Sequence, residues 1–161
     1  MDKTQFISGV FDIYDERLLE SRLTEEGNVC GALLKDLTLY DDCGLSAKDF
    51  VTKSGRLLFT IGRQIRDKKC NTFDEITFLS NANEDVKDEI NNEFGGFKLI
   101  QNVMDAVSLK NYDSFLDDLN KSNIMLSLHR KNFNLLEEMT LDNGKKVVPY
   151  KLFKKLTASE V

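Results

Sequence analysis

The stretch from Phe94 to Met139 limits what this chain can fold into more than any other. It opens on Gly95-Gly96, continues as an apolar helical pattern through Phe97, Leu99, Ile100, Val103, Met104 and Val107, and breaks at Ser108-Leu109-Lys110-Asn111. A longer helical pattern runs from Tyr112 to Met139. In it Tyr112, Leu116, Leu119, Leu126 and Phe133 recur at helical spacings and share one stripe. Ile124, Leu128, Leu135 and Met139 form a second stripe on a different face, because Leu126 and Leu128 stand about 200° apart at roughly 100° per residue. A hairpin of two helices buries one of these faces. The other needs a further surface, from the rest of the domain or from another chain.

A chain of 161 residues is long enough for one globular domain with a sizeable core, with or without an appendage. Acidic side chains outnumber basic ones 27 to 22, and the imbalance is uneven. Thr140 to Val161 holds five lysines against Asp142 and Glu160, which leaves 17 bases and 25 acids in the preceding residues. So acidic a head repels phosphate backbones and is a poor reader of duplex DNA. Cys30, Cys43 and Cys70 are odd in number and lack C-x-x-C spacing, so they read as small apolar residues in a reducing compartment. No apolar run approaches the length of a membrane span, and the N-terminus lacks a leader pattern. A soluble, cytoplasmic protein is expected.

Met1 to residue 16 reads as an N-terminal arm without a clean period. From Arg17 the pattern turns helical through Leu19, Leu23, Cys30, Leu33, Leu34 and Leu37, with Gly31-Ala32 predicting the close approach of another helix. After a break at Asp41-Asp42-Cys43-Gly44, Ser46 and Asp49 have the spacing of a cap and its returning acid. Ser54 to Asp67 reads as a helix with Leu57, Leu58, Ile61 and Ile65 inward. Thr72-Phe73-Asp74-Glu75 reads as a helix start with Thr72 as cap, and Asn83 as the cap of a further helix that Gly95-Gly96 stops. No strand is expected before Thr140. Beyond it Asp142-Asn143-Gly144 is turn chemistry, Val147-Val148 is extended, and Pro149 begins a last helix presenting Leu152, Phe153 and Leu156. The fold class is all-α: a head of about six helices over residues 17–94, a long two-helix hairpin over 95–139 in the same domain, and a tail over 140–161.

The chemistry of a catalytic site is hard to find. There is no G-x-x-x-x-G-K-[ST] loop, and His129 is the only histidine, which leaves neither a zinc motif nor a defensible triad. Adjacent acids such as Asp117-Asp118 and Glu137-Glu138 do not share a helix face. No catalytic, cofactor-binding or metal-binding residue is therefore assigned. Binding remains as the expected activity.

Three segments, taken in order, resemble the N-terminal domain of the DnaB-type hexameric replicative DNA helicases of bacteria and their phages. The first is Glu26 with Val29-Cys30-Gly31-Ala32-Leu33-Leu34-Lys35-Asp36. The second runs from Ser46-Ala47-Lys48-Asp49-Phe50 through Arg56-Leu57-Leu58-Phe59 to Asp74–Leu79. The third is Gly95-Gly96-Phe97-Lys98-Leu99 with Asn111-Tyr112. The resemblance spans roughly residues 17–139.

It implies a collar domain whose hairpins pair between subunits of a hexamer and where primase, and in some systems a helicase loader, docks. Leu99, Val103, Ile124, Leu128, Leu135 and Met139 are then the subunit-interface candidates. Residues 140–161 would be the linker to a motor domain, with Leu152, Phe153 and Leu156 docking it there. ATP and Mg would belong to that motor domain, DNA would be touched only indirectly, and no membrane would be involved. The alternative is a free-standing regulator of the same fold that binds a helicase or primase. A motor domain encoded in frame after Val161 separates the first from the second. A small enzyme is the remaining class, and the single histidine speaks against it.

Overall fold

The computed structural model describes residues 16–93 and 95–161, so the arm reading of residues 1–15 lies outside the described residues, as does Phe94. The pattern that begins at Arg17 forms two helices: a single turn, α1 (Glu16–Leu19), and α2 (Arg22–Lys35). α2 is buried on most of its circumference through Arg22, Glu26, Val29, Cys30 and the run Gly31–Leu34. A helix buried on most of its circumference, its buried charges paired with each other, is a central helix. α3 (Lys53–Asp67), α6 (Phe97–Asp105) and α7 (Tyr112–Arg130) all pack against it. Between them lie α4 (Glu75–Asn81) and α5 (Glu84–Glu93).

The predicted close approach at Gly31 is present. A Cβ there would meet the Val103 carbonyl oxygen at 2.8 Å and Val107 Cγ2 at 2.9 Å, so only glycine lets α6 and the residues that follow it close on α2. The predicted inner face of α3 is also present: Leu57, Leu58, Ile61 and Ile65 are all buried in the main core. Cys30 and Cys43 are buried free thiols, and Cys70 is half-buried.

Two boundaries differ from the expectation. The start of α4 is capped by Asp74, not Thr72. Its Oδ1 accepts from the Thr77 amide at 2.8 Å, and Thr77 Oγ1 accepts in return from the Asp74 amide at 2.9 Å. The reason is Phe73. As the residue before the cap it is buried and reaches Phe78 four positions into the helix, ring centroids 6.4 Å apart, an apolar staple that a Thr72 cap would pull out of place.

The long helix stops at Arg130 instead of continuing to Met139. Asn132 takes the left-handed conformation (φ 68°), its amide donates to the His129 carbonyl, and the Phe133 amide donates to the Leu128 carbonyl, both at 3.0 Å. This pair of bonds closes a helix C-terminus, and asparagine is the non-glycine residue best suited to it. The second helix of the expected hairpin is consequently shorter than predicted. The two hairpin helices also meet mainly through α2, with few contacts to each other.

After the helix, β1 (Met139–Thr140) and β2 (Lys146–Val147) pair antiparallel around the Asp142-Asn143-Gly144 turn, with Gly144 at φ 81°. α8 (Pro149–Phe153) begins on Pro149 as expected and is followed by a 3₁₀ turn at Ala158–Glu160. Residues 148–160, the expected linker, pack back on the rest of the chain. Tyr150 packs on the small cluster of Leu18, Leu19 and Leu126, and its amide donates to the Leu135 carbonyl at 2.8 Å. Among the described residues no helix is long and apolar enough to cross a membrane.

Candidate functional site

The interface candidates fall in different environments. Leu99 and Val103 on α6 are half-buried and packed against the main core, Val103 beside Gly31. Ile124 and Leu128, one turn apart on α7, are half-buried. Leu135 is off the helix and buried within its own chain, and Met139 lies in β1 with 47% of its surface exposed. The stripe through Ile124, Leu128, Leu135 and Met139 is therefore not one helical face. The helix end at Arg130 splits it. Ile124 and Leu128 still share a face, and Phe133, 57% exposed, follows directly on the turn that closes the helix.

The tail candidates lie close to α7. Leu152 is 39% exposed while Phe153 and Leu156 are half-buried. Two other exposed apolar residues, Ile76 and Leu79 on α4, sit one turn apart and were not singled out from the sequence.

A polar node joins the first two motif segments. Glu26 and Arg22 are both buried and paired, with Arg22 Nε to Glu26 Oε2 at 3.0 Å. Glu26 Oε2 also accepts from the Val51 amide at 3.1 Å, and Oε1 accepts from the Thr52 amide at 3.1 Å and the Thr52 hydroxyl at 2.7 Å. Thr52 Oγ1 in turn caps α3 by accepting from the Gly55 amide at 3.0 Å. Arg22 Nη2 donates to the Asp49 carbonyl at 2.9 Å. One carboxylate thus fixes α2, the loop at Asp49–Thr52 and the first turn of α3. A side chain at Gly55 would strike the Glu26 carboxylate and approach Thr52 Oγ1 to 2.8 Å.

Beside that node a cleft of about 350 Å³ opens between α2 and α7, lined by Glu25, Ser122, Lys121, Met125 and Lys154 among others. Burial pushes the Glu25 carboxyl above its ordinary value of 4.5; the charges of Arg22 and Lys154 and a hydrogen bond with Ser122 offset part of that, while Asp118 adds to it. A folded-state value above the unfolded one means Glu25 favours the fold while protonated, and that contribution is lost as pH rises through the folded value. Glu25→Gln, which keeps the neutral shape, is expected to be more stable than the parent at about pH 7.5, with the gap closing near pH 4. Urea unfolding at both pH values checks this. A variant less stable at the higher pH would show that Arg22 and Lys154 hold the carboxylate strongly enough to outweigh its burial.

A second hollow of about 520 Å³ lies at the end of α7, bounded by Arg17, His129, Arg130, Phe133, Leu135 and Glu137. His129 therefore borders an open basic and aromatic surface at a helix end. Among the described residues no group of three or more His, Cys, Asp or Glu side chains is arranged to hold a metal ion. Comparison of the chain with protein-family models, with curated proteins and with solved structures finds no match.

Proposed function

We propose that this chain is the N-terminal collar domain of a DnaB-type replicative DNA helicase, which assembles subunits and docks primase or a helicase loader without catalysing a reaction itself. One observation carries the reading: the helix that holds the first segment is the one on which α3, α6 and α7, carrying most of the other two, pack. α2 holds the first segment. Its Glu26 is bonded to Thr52, between the cap and the helix of the second, and its Gly31 is covered by Val103 and Val107, which follow the Gly95-Gly96 opening of the third. The segments run from Glu26 to Tyr112 in the sequence, and the fold brings the helices that carry them together.

The outer face of α7 supports the assembly part of the proposal. Ile124 and Leu128 are incompletely covered, and Phe133 and Met139 beyond the helix are largely exposed. Partly buried apolar residues of this kind gain from a second copy, since each further Å² of apolar surface removed from water contributes about 25 cal/mol.

A domain with this role hydrolyses no nucleotide. Purified protein is expected to release no phosphate from ATP above a buffer blank, with or without single-stranded DNA. Hydrolysis that follows the protein peak through a sizing column would overturn the proposal in favour of an enzyme.

A further inference from the structure

Residues 154–158 are held on α7 by two side chains that hydrogen-bond the strap through its backbone. Lys121 is 9% exposed, and its Nζ donates to the Lys154 carbonyl at 3.0 Å and the Leu156 carbonyl at 2.9 Å. Asp117, one helical turn earlier on the same face, accepts through Oδ1 from the Ala158 amide at 2.9 Å. The cation therefore sits where α8 ends and leaves carbonyls without partners, and the anion sits where the 3₁₀ turn at Ala158–Glu160 begins and leaves amides without partners. Neither contact depends on which side chains the segment carries.

We propose that Asp117 and Lys121 form a two-point backbone latch that straps residues 154–158 across the edge of the cleft between α2 and α7, so that release of the strap opens that cleft. Lys154 and Lys121 both line the cleft, so the strap and its fastening are part of the cleft's wall. The latch is poised to open. Closing it places the Lys121 ammonium, almost wholly buried, between two neutral carbonyls, and among the described residues no carboxylate forms an ion pair with it; a desolvated cation held by carbonyls alone competes poorly against water. Beyond the latch the strap is held by half-buried Phe153 and Leu156 and by the packing of its 3₁₀ turn on α7, while α8 is only five residues long and Leu152 is 39% exposed. Local opening of such a segment falls at the low-stability end of a protein's motions. This inference stands apart from the collar reading, because it requires only that one chain adopt this fold.

Amide hydrogen exchange on the whole chain tests it, at two protein concentrations tenfold apart. In the parent protein the amides of Ala158 and of Lys154–Leu156 are expected to exchange slower than in an unfolded chain, at a rate independent of concentration. Lys121→Met keeps the apolar stem and removes the donor; Asp117→Ala removes the acceptor. Each variant is expected to speed exchange across residues 154–160 by at least about tenfold, since Lys121→Met loses two hydrogen bonds from a charged group and Asp117→Ala loses one. The Ala158 amide in Lys121→Met is the sharpest reporter, since its own acceptor is untouched. Asp117→Asn, which retains an acceptor oxygen, is expected to restore most of the protection. The amides of α2 and α3 should be unaffected in all three. Unprotected residues 154–160 in the parent, unchanged exchange there in both Lys121→Met and Asp117→Ala, an equal rise in α2 and α3, or rates that fall as concentration rises would each overturn the latch.

Discussion

Glu26→Ala is expected to cost about 4 kcal/mol of folding stability, the loss typical of stripping one partner from a buried ion pair. The size follows from what the carboxylate does. Arg22 is fully buried, and without Glu26 the Asp49 carbonyl is its one remaining hydrogen-bond acceptor among the described residues. The amides of Val51 and Thr52 lose their acceptor at the same time, and the capping hydroxyl of Thr52 loses the group it donates to. Against a total stability of about 5–15 kcal/mol this is a large fraction. It should appear as a drop of roughly 10 °C in melting temperature for a chain of this length. Equilibrium urea unfolding reads it directly. A loss below about 1 kcal/mol would mean that water reaches Arg22 and that the node is not buried as described.

Gly62→Ala is expected to cost about 3 kcal/mol, because α3 lies against the Tyr40 ring at that point. An added Cβ would overlap the Tyr40 hydroxyl and come within 2.6 Å of its Cζ, both on a side chain that is 1% exposed. Tyr40 cannot yield easily. Its hydroxyl donates to the Phe59 carbonyl at 3.0 Å, its ring lies 5.2 Å from that of Phe59, and the Arg63 guanidinium stands 5.1 Å from its centroid. Displacing the ring breaks all three contacts and leaves a void beneath the 3₁₀ helix at Leu37–Asp41. A double-mutant cycle with Tyr40→Phe should show partial rescue, since the hydroxyl is the first atom struck and the ring carbons remain in the way. Additive losses would indicate that Gly62 and Tyr40 do not share this contact.

The sequence was most legible where periodicity and small residues coincide. The apolar run of α2 and the glycine at position 31 predict both a central helix and a neighbour pressed against it, because a missing side chain inside an apolar face leaves space that packing must fill. Gly55 and Gly62 carry still tighter approaches, from Glu26 and Tyr40, but each is followed by an arginine and lacks the apolar run with a second small residue that marks Gly31.

The end of α7 was misplaced for the opposite reason. Apolar residues continue at helical spacing as far as Met139, and that pattern outweighed Lys131-Asn132-Phe133, where an asparagine suited to the left-handed conformation was the available stop signal. Losing that last stretch of helix divides the outer stripe and removes Leu135 from it. The role of the tail was hidden as well. A lysine and an aspartate that bind backbone leave no complementary side chain to notice, so residues 154–158 read as linker although Lys121 and Asp117 hold them to the head.

The central claim is that the chain assembles with copies of itself through the outer face of α7. Light scattering behind a sizing column, run over a range of loading concentrations, measures this most directly. The account predicts a weight-average mass that climbs from the 18.4 kDa of one chain to twice that or more as concentration rises, and that returns to a single chain in Leu128→Asp with the helical signal unchanged. A mass fixed at 18.4 kDa at every concentration, or an assembly that Leu128→Asp leaves intact, would contradict it.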